Sequence, residues 1–350
     1  MWKNKTPYII AEIGCNHNGD LDLARKMIHE AEKCGCDAVK FQLWTKDMLF
    51  TDNYLQELND GKVRLENVSK WETKELGLNN IFDQVERFSI YKKEHEALFA
   101  CARKAKIGYS SSVFRKEDVD FLIDQKVSFL KIASMDINNF ELIDYVLSRN
   151  YRTVISTGLA TLGEIDMVAQ RVPSKARKNV ALLHCVSLYP PRDAMVNLKF
   201  IQTLSAVYGF TIGYSDHTLG YSIPLAAAAL GARVIEKHFT LDKKLPGWDH
   251  HVSADPQEMQ IICRETKRIS AALGDGRKVL SDEEKEKQLK FRRSLVTTRE
   301  IKKGEKFTAK HFTFKRPGTG IPPHEVNYVI GRQAARKLEG NRTVTWRDIQ

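Results

Sequence analysis

At 350 residues the chain is too long for one small domain, and it suits a barrel of about 250 residues with a small appendage. Its 42% apolar and 28% charged residues are the proportions of a folded protein with a substantial core, and no run approaches the roughly 20 apolar residues of a membrane span. A net charge of +11 would admit nucleic acid as a partner. The lysines alternate with acids, however, as in KEDVDFLIDQK and SDEEKEKQLKFRR, and no zinc-finger, aromatic RNA-binding or helix-turn-helix signature is present. Attraction of small anionic substrates, or simply a basic surface, fits this pattern better.

The N-terminal segment MWKNKTPYIIAEIG enters a strand directly, without a cleavable signal pattern, so a cytoplasmic location is expected. Eight short apolar runs then recur: Tyr8–Ile13, Ala38–Leu43, Gly108–Ser112, Phe129–Ile132, Arg152–Ser156, Val180–His184, Thr211–Ser215 and Val234–His238. Amphipathic helical patterns lie between them. The first is LDLARKMIHEAEKCG, with Asp20 as its N-cap and Gly35 as its end. Near-continuous apolar strands alternating with helices indicate a parallel sheet buried on both faces. Eight of them predict a closed (β/α)8 TIM barrel over residues 1–275, with an open doubly wound sheet as the competing arrangement.

One stretch breaks the rhythm. Residues 45–95 are polar and lack clean periodicity, which predicts a lid or a disordered loop after the second strand. Residues 276–290, including the charged helical run Ser281–Lys290, read as a linker. Residues 291–350 change character, with short β-like runs, turns at Lys303-Gly304 and Glu339-Gly340 and a Pro/Gly-rich centre. They predict a compact β-rich domain small enough to need support from the barrel or from a second subunit. The cysteines at 15, 34, 36, 101, 185 and 263 form no CxxC pair, and a disulfide framework is not expected at this size. Cys34 and Cys36 flank Gly35 and read as core, while Cys15 or Cys185 could line a pocket.

In a parallel barrel, polar residues at the strand C-termini gather on the rim where chemistry occurs. They include Glu12, Lys40, Gln42, Ser112, Lys131, Ser134, Ser156, His184, Tyr189, Ser215, Asp216, His217, Glu236, Lys237 and His238. His217 and His238 end consecutive strands, so their imidazoles would stand side by side. A two-imidazole metal site leaves positions for water and substrate, and it suits Mn²⁺ (or Mg²⁺ or Co²⁺) better than a closed zinc site. Two satisfied core histidines are the plainer alternative. Lys40 and Lys131, with the hydroxyls and the Ser156-Thr157-Gly158 turn, supply what a phosphate needs. Ion pairing with a glutamate, or a Schiff base, are the other readings. Glu12 and Asp249 are candidate acid/base or substrate-holding carboxylates, and His250 and His251 either join the site or lie in a solvated loop.

AEIGCNHNGD, VKFQ, LKIAS, STG, LLHC-x-x-x-YP, GYSDHT and EKHF followed by a G-x-D loop together resemble the sialic acid synthases. That group comprises N-acetylneuraminate, legionaminate and pseudaminate synthases. The C-terminal segment, with RSL, IKKGE and KRPGTGI, resembles their antifreeze-like (SAF) domain. The motifs cover essentially the whole chain in the same order. The resemblance implies condensation of phosphoenolpyruvate with an open-chain N-acylated aldose such as N-acetylmannosamine, giving a nine-carbon 2-keto-3-deoxy acid and phosphate. It implies that His217 and His238 hold Mn²⁺, and that Lys40, Lys131, Ser134, Ser156 and Ser215 hold phosphoenolpyruvate. Ser112 stands where a threonine is usual. Glu12, Asp249 and Tyr189 would lie beside the sugar, with Ser187 where many neuraminate synthases carry asparagine. Arg316 matches an SAF arginine that reaches the sugar of a partner subunit, which implies a domain-swapped homodimer.

Trp248 replaces the proline of the usual glycine-proline-aspartate loop, so its ring is expected to pack on the substrate or block part of its site. Retention of Asp249 argues against the pseudaminate branch. Two alternatives remain: a related synthase using a different or phosphorylated aldose, perhaps with an eight-carbon product, and a degenerate carbohydrate-binding barrel. The retained histidines, lysines and Glu12 argue against the second.

Overall fold

The computed structural model describes residues 6–63, 75–78 and 80–350. Eight parallel strands close into a barrel in sequence order: β1 (Tyr8–Glu12), β2 (Ala38–Gln42), β3 (Gly108–Ser112), β4 (Phe129–Ile132), β5 (Thr153–Ser156), β6 (Val180–Cys185), β7 (Thr211–Asp216) and β8 (Val234–His238). Each lies within one residue of its predicted run at either end. Closure is direct, because Tyr8–Glu12 pairs residue for residue with Val234–His238. This excludes the open sheet.

Local signals work as the sequence indicates. Asp20 accepts the amides of Asp22 and Leu23 at the start of helix Leu21–Cys34, and Gly35 ends that helix at φ 90°, a backbone region that costs glycine little. The final barrel helix, Pro256–Leu273, begins with a proline in its first turn and an Asp255–Glu258 capping box. The main apolar core lies between the strands and the helices. A second layer, from Ile10, Ala38, Phe129, Val154, Ala181, Leu183 and Val234, plugs the barrel floor. Gly213 is required in that floor, since a Cβ there would collide with Leu183 and Val234.

The excursion after β2 differs from expectation. Its described residues hold helices Lys46–Leu49, Asp52–Asn59 and Ile81–Phe88, followed by Lys92–Ala105. Leu55, Leu58, Val85 and Phe88 form a satellite core with Cys15 and Trp44. Helices this short carry few buried positions each, so no period emerges over a long window. Residues 64–74, the centre of the stretch expected to form a lid or loop, fall outside the described residues.

The chain divides into two compact units, Met1–Gly274 and Asp275–Gln350. The segment read as a linker contains helix Asp282–Phe291 and belongs to the second unit, where Gly318 donates its amide to the Leu289 carbonyl at 2.8 Å. There β9 (Ser294–Thr297) and β10 (Phe312–Lys315) pair antiparallel, Phe312 opposite Thr297. Isolated bridges such as Ile301 with Leu338 surround a core that includes Leu295, Phe307, Ile321, Val329 and Val344. No helix among the described residues is long and apolar enough to cross a membrane.

Candidate active site

Above the apolar floor, the inward positions of the strands turn polar. Alternation along a strand sends every second side chain inward. Thus Ile10 of β1 is followed on the same face by Glu12, Ala38 by Lys40 and Gln42, Phe129 by Lys131, Val154 by Ser156, and Val234 by Glu236 and His238. A cavity of about 370 Å³ opens there. It is lined by Glu12, Lys40, Gln42, Ser112, Lys131, Ser134, Ser156, Ser187, Tyr189, Ser215, His217 and His238, together with Phe114, Ala133, Met135, Leu159, Cys185 and Glu236. Gly158 keeps one wall tight, since a Cβ on it would run into the hydroxyls of Ser187 and Ser134.

Four buried charges dominate the floor of this cavity. Lys40 Nζ lies 2.7 Å from Glu12 Oε2, and Lys131 Nζ lies 2.6 Å from Glu236 Oε1. Lys40 also approaches Glu236 at 4.0 Å, which makes the two pairs one network. Gln42 donates to Glu12 at 3.0 Å, Lys40 to Ser112 at 3.2 Å and Ser215 to Glu236 at 3.1 Å. Burial alone would raise Glu236, but Lys131 and Lys40 outweigh it and hold its carboxyl at about 2. Glu12 goes the other way: burial, reinforced by the charge of Glu236, pushes it up to about 7 despite Lys40. Two carboxyls a few ångströms apart therefore differ in proton affinity, a pattern that separates a fixed counter-ion from a group able to move a proton.

The imidazoles of His217 and His238 face each other with ring centres 5.4 Å apart, and Tyr189 stacks on His217 at 4.0 Å. His217 Nδ1 donates to the Val186 carbonyl at 2.8 Å. That bond makes Nδ1 the donor and leaves Nε2 as the nitrogen a metal would take; burial would lower the His217 pKa, but Cys185 and the Val186 carbonyl outweigh it and raise it. Burial together with His217 and the nearby lysines keeps His238 well below the usual imidazole range, hence neutral. Its Nδ1 has no hydrogen-bond partner, and Asp249 Oδ2 stands 3.6 Å away. Ser156 Oγ and Glu236 Oε2 are likewise buried without partners. Such orphaned groups are costly unless a ligand satisfies them. The donor set fits a divalent cation with open positions: two facing imidazoles, with substrate-sized space in front. Among the described residues no preformed group of three His, Cys, Asp or Glu side chains exists.

The sequence matches the NeuB family over residues 27–278 and an SAF domain over residues 292–350. The chain belongs to the NeuB family. It is 36% identical over 349 residues to the N,N'-diacetyllegionaminic acid synthase of Legionella pneumophila, covering 99% of this chain and 95% of that protein. The Campylobacter jejuni protein of the same name is 37% identical over 343 residues, with coverage of 97% and 99%. Among solved structures, the N-acetylneuraminic acid synthetase of Leptospira borgpetersenii superposes with a TM-score of 0.69 at 36% identity, over 81% of this chain and 91% of that one. As a NeuB-family protein the chain is an enzyme, a synthase with an SAF domain.

In this NeuB-family barrel the tertiary structure sorts the rim residues by face. Asp249 does not line the cavity but stands behind His238. Arg316 belongs to the second unit, its guanidinium 4.8 Å from the centre of the Phe291 ring. Asp216 and Lys237 point away from the cavity and pair with each other at 2.7 Å, fully buried. His184 likewise turns outward, bonding the Val196 carbonyl at 2.6 Å. His250 is tied to Thr240 and Asn18 as a structural group, and His251 is exposed. Trp248 is not among the cavity-lining residues; it stacks on Trp44 (6.2 Å between centres) and meets Phe88 edge-on (5.0 Å), pinning the β8 loop to the excursion. Sequence reasoning placed Glu236 on the rim without a role and gave Cys185 little weight. The signal for Glu236 was its spacing of two from His238, which puts both on one face.

Proposed function

We propose that this NeuB-family synthase condenses phosphoenolpyruvate with an open-chain N-acylated aldose. Carbon 3 of phosphoenolpyruvate bonds to the aldehyde carbon, water adds to carbon 2, and phosphate leaves, giving a 2-keto-3-deoxy nonulosonic acid. The observation that carries the reading is the Lys40–Glu12 and Lys131–Glu236 network, ringed by Ser112, Ser134, Ser156 and Ser215, directly beside two facing imidazoles. Lys40 and Lys131 have the charge to hold the phosphate and carboxylate of phosphoenolpyruvate, and the serine hydroxyls add directional donors. Glu12, poised near neutrality, accepts the proton of the water that adds to carbon 2. His217 and His238 would hold Mn²⁺ or a similar ion, which when bound supplies Lewis-acid polarisation of the aldehyde oxygen. Gln42, Ser187 and Tyr189 are assigned to the sugar, and Asp249, 3.6 Å from His238 Nδ1, to orienting that imidazole. The legionaminate synthases at 36–37% identity support an acylated acceptor.

In this reading the protein is a domain-swapped homodimer, with Arg316 reaching the sugar of the other protomer. Loss of residues 291–350 should then cost sugar affinity and dimerisation, and a fully active truncated monomer would contradict it. The reaction itself is tested with phosphoenolpyruvate, Mn²⁺ and a panel of aldoses that includes N-acetylmannosamine, its 6-phosphate, arabinose 5-phosphate and a 2,4-diacetamido-6-deoxy hexose. Phosphate release with a matching product mass identifies the acceptor. Phosphoenolpyruvate failing to bind at all refutes the proposal.

A further inference from the structure

Far from the rim, at the opposite end of the barrel, three cysteines converge. Cys34 is the last residue of helix Leu21–Cys34, Cys36 follows the Gly35 turn into β2, and Cys263 lies in the final barrel helix, Pro256–Leu273. Cys36 Sγ and Cys263 Sγ are 3.7 Å apart although 227 residues separate them in sequence. Both thiols are buried, Cys36 at 9% and Cys263 at 2% exposure, and Cys34 is at 7%. The turn packs directly on the last helix, since a Cβ on Gly35 would lie in ordinary van der Waals contact with Cys263 Cβ at 3.7 Å. Cys34 is engaged elsewhere, its Sγ at 3.4 Å from the Pro256 carbonyl.

We infer that Cys36 and Cys263 are a site of oxidative modification, a latent disulfide that forms with a small-molecule disulfide such as oxidised glutathione and staples the turn between the first barrel helix and β2 to the last barrel helix. The chemistry balances. The Cys36 thiolate attacks the small disulfide, releasing one small thiol and leaving a mixed disulfide. The Cys263 thiolate then attacks the Cys36 sulfur and releases the second thiol. Two protein thiols are oxidised and one small disulfide is reduced. The sulfurs need to close from 3.7 Å to a bond of about 2.05 Å, a shift of side-chain scale. The hydrogen bond that the Cys36 thiol donates to Cys263, burial and the neighbouring thiols all raise the Cys36 pKa, so the reaction is slow at neutral pH and quicker in mild alkali.

The consequence follows from topology. A (β/α)8 barrel is held shut by noncovalent pairing of its first and last elements, here β1 with β8 and helix Leu21–Cys34 with helix Pro256–Leu273. A Cys36–Cys263 bond closes that seam covalently around nearly the entire first unit. Constraining so long a loop in the unfolded chain stabilises the fold.

The test incubates the intact protein with oxidised glutathione at pH 8.5 and maps peptides without reduction. The expected result is one cross-linked pair containing Cys36 and Cys263, with a higher Tm for the barrel than in the reduced protein. Cys36→Ser and Cys263→Ser should each lose both effects, while Cys101→Ser, which removes the most exposed cysteine, should lose neither. Glutathione adducts without a cross-link, or a link from Cys34 to Cys263, would overturn the inference. So would a Cys36–Cys263 bond that leaves Tm unchanged or lowers it.

Discussion

Lys131→Met separates what the buried network does for stability from what it does for catalysis. The substitution removes the ammonium 2.6 Å from Glu236 Oε1 and leaves that carboxylate with Ser215 at 3.1 Å and Lys40 at 4.0 Å. Breaking a buried pair from one side costs about 3–5 kcal/mol, because the survivor stays charged and desolvated. With two partners remaining, the loss should fall near the lower end, about 3 kcal/mol in urea unfolding. On the substrate side, losing one charge-assisted hydrogen bond to phosphate is worth about 1.5–3 kcal/mol, or roughly 10- to 150-fold in KM for phosphoenolpyruvate. The double variant Lys131→Met/Glu236→Leu removes both charges and should recover most of the stability, since a buried pair and an apolar replacement are often close in energy. It should recover none of the affinity. A single variant that costs under about 1 kcal/mol, or a double variant that restores KM, would refute this account of the network.

Three further outcomes are expected. Burial pushes the Glu12 carboxyl up to about 7 from its ordinary 4.5, so the folded protein binds more protons between those values. The contribution of Glu12 to stability is complete below about pH 4.5 and is lost as pH rises through 7. Unfolding free energy should therefore drop more steeply from pH 5 to 8 in the wild type than in Glu12→Gln, and parallel curves would contradict the shift. His217→Ala and His238→Ala should each abolish Mn²⁺-dependent turnover and weaken Mn²⁺ binding followed by electron paramagnetic resonance, with circular dichroism unchanged; full activity in both would remove the metal assignment. Trp248→Ala should cost about 2–4 kcal/mol, somewhat less than a fully buried tryptophan because the ring is only partly covered, and Trp248→Phe should regain much of it. A Trp248→Ala variant as stable as the wild type would mean that the contacts with Trp44 and Phe88 do not hold the excursion.

The barrel was legible because its signals are local and repeated. Each strand is a short apolar run, and Asp20 and Gly35 bracket the first helix through backbone bonds made within a few residues. The imidazole pair was legible for a similar reason: His238 ends β8, His217 directly follows β7, and parallel order alone makes them neighbours. The excursion was not legible. Its short helices owe their position to Trp44, Trp248 and Phe88, brought together from three separate segments. Local periodicity carries no trace of such contacts. Glu236 and Lys237 are different, because adjacent residues of one strand face opposite ways and that much is legible. Both are ionisable rim residues in sequence; one joins the cavity and its neighbour pairs with Asp216 on the outer face.

By itself, then, the sequence determined the element order, the parallel character of the sheet and the residue types that reach the rim, because hydrophobic period and capping act over a few residues; closure of the sheet was decided by the pairing of β1 with β8. Only the tertiary structure decided which carboxylate pairs with which lysine, that Glu12 sits near neutrality while Glu236 stays ionised, and that Cys36 lies against Cys263. Those outcomes depend on burial and on distances between strands far apart in the chain. Electrostatic energy inside a protein varies with both far more sharply than any pattern along the sequence can express.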